Sequence, residues 1–121
     1  MKKKILMIED EAAISSYVGL FLNQEGFEFD HAKNIAEGLT LAKQNTYDLV
    51  LLDLMLPDGT GDELLPQLRA QSPKTPVLIM TGVAADDPRL IRCMKNGAVG
   101  FVPKSSRAED LLKGIRRALH E

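Results

Sequence analysis

Asp53 stands inside an apolar run, Leu49-Val50-Leu51-Leu52-Asp53-Leu54-Met55-Leu56. An unpaired carboxylate there loses hydration and costs free energy unless a cation or hydrogen-bond donors compensate it. Three other short apolar runs end in groups able to supply that compensation. Ile5-Leu6-Met7-Ile8 ends in Glu9-Asp10-Glu11, Val77-Leu78-Ile79-Met80 ends in Thr81-Gly82, and Val99-Gly100-Phe101-Val102-Pro103 ends in Lys104. Clustered carboxylates suit a hard cation such as Mg2+. A hydroxyl donates to an anion, and an ammonium neutralises a carboxylate or a phosphate. Taken singly these are weak signs: Glu9 and Asp10 suit the start of a helix through its dipole, a threonine commonly ends a strand, and a lone lysine is commonly solvated. Only placement at one site gives them a joint meaning.

The elements that must position these groups follow from periodicity. The first apolar run is a strand, and Ile14, Tyr17, Val18 and Phe21 then fall at helical spacing with Gly26 as the stop, so a helix is expected over 12–25. A short strand over 27–31 follows. Asn34, with Glu37 three residues on, starts a helix carrying Ile35, Leu39 and Ala42. The third strand covers 48–53, and Leu56-Pro57-Asp58-Gly59-Thr60-Gly61 is dense in turn formers. Thr60 with Glu63 caps a third helix bearing Leu64, Leu65 and Leu68, in which Pro66 predicts distortion or a late start. The fourth strand covers 76–81; Asp87 and Pro88 open a fourth helix that ends at Asn96-Gly97. A fifth strand over 99–102 precedes a last helix, with Ser106 and Glu109 as its capping box and Ala108, Leu111, Leu112, Ile115 and Leu119 as its apolar stripe.

Five strands alternating with five helices predict an α/β domain, a parallel sheet covered on both faces, and continuous apolar strands fit that burial. Ligands of such folds sit beyond the carboxyl ends of the strands, near the switch in strand order. All four polar run ends lie at that edge.

Composition narrows the alternatives. A chain of 121 residues with 45% hydrophobic content reads as a single domain over 1–121. Net charge is −2, from 15 basic and 17 acidic residues spread along the chain, which disfavours nucleic acid and membrane partners. The apolar stretch after Met1-Lys2-Lys3-Lys4 is too short for a signal peptide and no run approaches a membrane span, so a cytoplasmic location is expected. Cys93 is the only cysteine and His31 and His120 lie far apart, so oxygen ligands are expected for any metal. Asp58, Asp62, Asp86 and Asp87 read as turn and cap residues, and Cys93 as a buried small hydrophobe.

Glu9-Asp10, Asp53 followed by Pro57 and Gly61, Thr81 and Lys104, in this order and over essentially the whole chain, resemble the receiver domain of two-component response regulators. The resemblance implies a flavodoxin-like (βα)5 fold, doubly wound, with a five-stranded parallel sheet in strand order 2-1-3-4-5. It implies that Asp53 is the phosphoacceptor, taking a phosphoryl group from a sensor histidine kinase, a histidine phosphotransfer protein or a small phosphodonor. Asp10, Asp53 and the backbone carbonyl of Met55 would ligate Mg2+, or Mn2+ in its place, with Glu9 supporting. Lys104 would pair with a phosphoryl oxygen and the Thr81 hydroxyl with another. The Thr81 shift would let Phe101 turn inward and remodel the surface of the fourth helix, fifth strand and fifth helix, which meets an output domain or protein or a second copy of the chain.

Two departures from the family pattern matter. Phe101 replaces a commoner tyrosine, and without a hydroxyl to favour a solvated state it is expected inward even without phosphate. Ser105 replaces a proline, so the Lys104–Ser105 bond is expected trans. Met55 and Val83, two residues after Asp53 and Thr81, occupy positions that modulate acyl phosphate hydrolysis in the family. Neither orients a water, so slow self-dephosphorylation is expected.

Such a chain catalyses only its own phosphorylation and dephosphorylation and is not otherwise an enzyme. A pseudo-receiver used only for protein interaction is the alternative, disfavoured by the intact Asp10, Asp53, Thr81 and Lys104. An aspartyl phosphatase ranks lower, because it wants a general acid two residues past its nucleophile and Met55 stands there. No DNA-binding helix pair follows the last helix, so a stand-alone receiver or one excised from a larger regulator is expected.

Overall fold

The computed structural model describes residues 2–120. Its five main strands are β1 (Lys4–Ile8), β2 (Glu28–Ala32), β3 (Leu49–Leu52), β4 (Val77–Thr81) and β5 (Gly100–Pro103). The helices are α1 (Ala12–Gln24), α2 (Ile35–Gln44), α3 (Gly61–Gln71), α4 (Pro88–Lys95) and α5 (Ala108–Ala118). All strand pairs of this sheet are parallel, in the order β2-β1-β3-β4-β5.

Strand residues alternate between two cores, as a pleat requires. Leu6, Ile8, Val50, Leu52, Val77 and Ile79 pack with Leu64, Leu65 and Leu68 of α3 and Leu90 and Cys93 of α4. Ile5, Met7, Leu49, Leu51, Leu78 and Met80 pack with Val18 and Leu22 of α1 and Leu111 and Ile115 of α5. Burial on both faces explains why the strands carry no polar alternation.

Most helix starts use the expected chemistry. Asn34 Oδ1 accepts from the Glu37 N–H at 2.8 Å, and Asp87 Oδ1 accepts from the Arg89 N–H at 2.9 Å ahead of Pro88. Glu63 Oε1 receives the Thr60 N–H at 3.3 Å and the Thr60 hydroxyl at 2.8 Å. Gly26 follows α1 with φ +89°, a conformation that favours glycine.

Several expectations are corrected. Helix α3 starts directly after Thr60 and runs unbroken through Pro66, which lies on the exposed face and forfeits one backbone bond in the second turn. The Ser106–Glu109 box does not form. Arg107 is the N-cap of α5 without a side-chain bond, because Ser106 belongs to the preceding turn, its N–H donating to the Pro103 carbonyl at 3.0 Å. Glu109 and Asp110 in the first turn serve the helix dipole instead. Tyr17 is 52% exposed, and the buried stripe of α1 is Ser15, Val18, Gly19 and Leu22. The turn-rich segment after Asp53 contains a small antiparallel hairpin pairing Met55 with Thr60 and Leu56 with Gly59. Strands β2, β3, β4 and β5 each begin one residue later than expected.

Candidate functional site

Strand register brings the polar run ends together. Ile8 pairs with Leu52, so the next residues, Glu9 and Asp53, leave adjacent strands side by side; the Asp53 N–H still donates to the Ile8 carbonyl at 3.1 Å. Thr81 pairs with Pro103, and the Lys104 N–H donates to the Thr81 carbonyl at 3.0 Å. Asp10, Glu11, Asp53, Met55, Thr81, Val83 and Lys104 line one cavity of about 300 Å³ at the carboxyl edge of the sheet. The entry to α3 crowds this point. A Cβ on Gly61 would lie 2.6 Å from the Asp53 carbonyl oxygen, so only glycine lets the helix approach.

Glu9, Asp53 and Thr81 are buried, at 0%, 2% and 1% exposure, and burying two acids together demands compensation. Lys104 supplies it. Its Nζ lies 2.9 Å from Asp53 Oδ2, 3.0 Å from Glu9 Oε1 and 2.7 Å from Glu11 Oε1. Burial acts to lower the Lys104 pKa, yet the hydrogen bonds to Asp53, Glu11 and Glu9 outweigh it and hold the ammonium above the ordinary lysine range. Burial pushes the Glu9 carboxyl up to about 7; the Asp53 charge adds to the rise and the Lys104 hydrogen bond opposes it.

One carboxylate oxygen from each of Glu9, Asp10 and Asp53 lies within 4.8 Å of the others. Asp10 is the exposed member of the three, so its carboxylate faces the side from which an ion would arrive, and the three oxygens would together suit a hard cation such as Mg2+. Glu9 Oε1 is buried and makes no directional hydrogen bond, although Lys104 is at ion-pair distance. An all-oxygen donor set with such an atom fits a hard divalent cation.

The other candidates fall around this centre. The Met55 N–H donates to Asp53 Oδ1 at 3.3 Å, and the Met55 side chain is 48% exposed at the cavity. Thr81 Oγ1 accepts from the Val83 N–H at 3.3 Å. No described peptide bond is cis, so Lys104–Ser105 is trans and Lys104 still reaches Asp53. Phe101 corrects the inward expectation: it is 41% exposed. It pairs with Ile79 on the edge strand β5, where only one neighbouring strand covers it.

Two contacts were missed in the sequence. Glu11, seen only as part of an acidic run, gives Lys104 its shortest ion pair. Arg89, not singled out at all, touches the Met55 sulfur from the start of α4. His31 anchors rather than acts: its Nε2 sits 2.6 Å from the Glu9 carbonyl oxygen. No local signal announces such pairs, because the partners lie far apart along the chain.

The response regulator receiver domain family model matches residues 5–116. The cell cycle response regulator CtrA of Brucella ovis is 37% identical over 112 residues, 93% of this chain and 48% of the relative. The chain thus spans about half the length of the curated relatives it matches. A CheY-like response regulator receiver domain protein from Methanospirillum hungatei superposes with a TM-score of 0.94 at 30% identity, over 99% of this chain and 95% of that one. The non-phosphorylated HemR receiver domain of Leptospira biflexa does so with 0.90 at 31% identity, over 99% and 96%.

Proposed function

This chain belongs to the response regulator receiver domain family, and on that premise we propose that it is a signalling switch set by phosphorylation of Asp53. One observation carries the reading. Register places Asp53 beside Glu9 and Asp10, with carboxylate oxygens within 4.8 Å, while Lys104 waits 2.9 Å away.

The side chains of Glu9, Asp10 and Asp53 and the backbone carbonyl of Met55 would hold Mg2+, or Mn2+ in its place. Bound there, the cation offsets the negative charge of the acids and of an approaching phosphoryl group. An Asp53 carboxylate oxygen attacks phosphorus of a phosphohistidine on a sensor histidine kinase or histidine phosphotransfer protein; the P–O bond forms as the P–N bond breaks, and the imidazole leaves. Lys104 exchanges its carboxylate partners for a phosphoryl oxygen. The Thr81 hydroxyl, now accepting from Val83, turns to donate to another.

Phe101, exposed in this state, then moves inward, and the α4-β5-α5 surface changes its affinity for an output domain or protein, or for a second copy of the chain. The reaction turns over no separate substrate, and a cytoplasmic setting is part of the same reading. No described helix is long and apolar enough to cross a membrane.

Incubation with Mg2+ and acetyl phosphate followed by intact mass tests this. One added phosphoryl group on the wild type and none on Asp53→Asn is expected; equal labelling of the two overturns the assignment.

A further inference from the structure

Met55 is a long, unbranched side chain at the cavity that holds Asp53, half exposed. Free at that edge, it would sample many rotamers. Arg89 fixes it. The Arg89 guanidinium is clamped on Asp87 by two parallel contacts, Nε to Oδ1 at 3.0 Å and Nη2 to Oδ2 at 2.8 Å. The remaining nitrogen, Nη1, is in contact with Met55 Sδ. Asp87 is in turn the N-cap of α4, so Met55, which lines the cavity, is tied to the first turn of α4.

We propose that Arg89 and Met55 form a latch over the phosphoacceptor cavity, which shields an acyl phosphate on Asp53 from water and couples its lifetime to the position of α4. The proposal rests on phosphorylation of Asp53 as read above, and Arg89 acts as a positioning residue through Met55. The planar fork is what permits the double grip: two nitrogens on Asp87 leave a third for the sulfur. An ammonium is a single point and cannot do both. Val83, which lines the same cavity, is also apolar, so neither side chain recruits a hydrolytic water. When α4 moves, Asp87 carries the guanidinium with it, and Met55 is released.

Two measurements test the latch, and they fail independently. In the unphosphorylated protein, hydrogen peroxide oxidation of Met55, followed by peptide mass spectrometry, is expected to be several-fold faster in Arg89→Ala than in wild type, with the buried Met7 and Met80 unchanged in both. Equal Met55 rates overturn the contact whether or not Asp53 accepts phosphate. In the phosphorylated protein, Arg89→Ala, Arg89→Lys and Met55→Ala are each expected to lose phosphate about fivefold faster, equivalent to about 1 kcal/mol of barrier. Combining Arg89→Ala with Met55→Ala is expected to add little, as for two halves of one contact. Wild-type lifetimes in Arg89→Lys, or additive effects in the double variant, overturn the shielding role. Absence of labelling in the wild type overturns both the reading of Asp53 and the shielding role.

Discussion

The Lys104 ammonium lies 2.9 Å from Asp53 Oδ2, so in the resting state the buried acid just past the carboxyl end of β3 is already neutralised by a cation from the end of β5. The same nitrogen also serves Glu9 and Glu11. A positive charge from outside competes with Lys104 for the acids, and a phosphoryl group competes with the acids for Lys104.

Removing that ammonium exposes the competition. Lys104→Met leaves Glu9 and Asp53 buried without it, and a loss of about 1–3 kcal/mol is expected from a urea unfolding midpoint measured in EDTA. Added Mg2+ is expected to recover more stability in the variant than in wild type. An unchanged midpoint in EDTA would show that Lys104 does not compensate the buried acids.

Hydrolysis of the acyl phosphate is expected to be slow, because Met55 and Val83 carry no group to orient water. Met55→Asn or Val83→Glu is expected to shorten the lifetime. A wild-type half-life of seconds that neither substitution alters would contradict this.

Phe101 is an exposed side chain on an edge strand. Its truncation to alanine is expected to cost less than about 1.5 kcal/mol, against about 3–5 for a core phenylalanine. A core-sized loss on thermal or urea unfolding would place the ring inward after all.

Cys93 is fully buried, and burial pushes its thiol up to about 11. Since only the thiolate reacts, its fraction at neutral pH is small and rises about tenfold per pH unit below that value. Native protein is expected to resist iodoacetamide at pH 7 and to react once unfolded in urea. Comparable native and unfolded rates would place the sulfur in solvent.

The sheet was readable in the chain because strands buried on both faces must be continuously apolar, as Leu49–Leu52 are, and because a charged residue inside such a run needs partners. The structure brings the expected group together: Glu9, Asp10, Thr81 and Lys104 meet Asp53's cavity or its acids. What stayed hidden is tertiary. Glu11 gains its contact from a lysine 93 positions away, and Arg89 meets Met55 34 positions back. Ser106 looked like a cap because its spacing to Glu109 is right, but the turn after β5 had already taken its backbone N–H. Pro66 looked disruptive, yet its place on the solvent side of α3 left the buried stripe of Leu64, Leu65 and Leu68 intact.

The most direct test follows phosphoryl incorporation from acetyl phosphate by intact mass, in wild type, Asp10→Asn and Asp53→Asn, with Mg2+ and with EDTA. Expected is rapid single labelling of wild type in Mg2+, strong slowing by EDTA and in Asp10→Asn, and none in Asp53→Asn. Labelling that is indifferent to EDTA and to Asp10, or that persists in Asp53→Asn, would contradict a cation held between neighbouring strand ends that lets Asp53 accept phosphate.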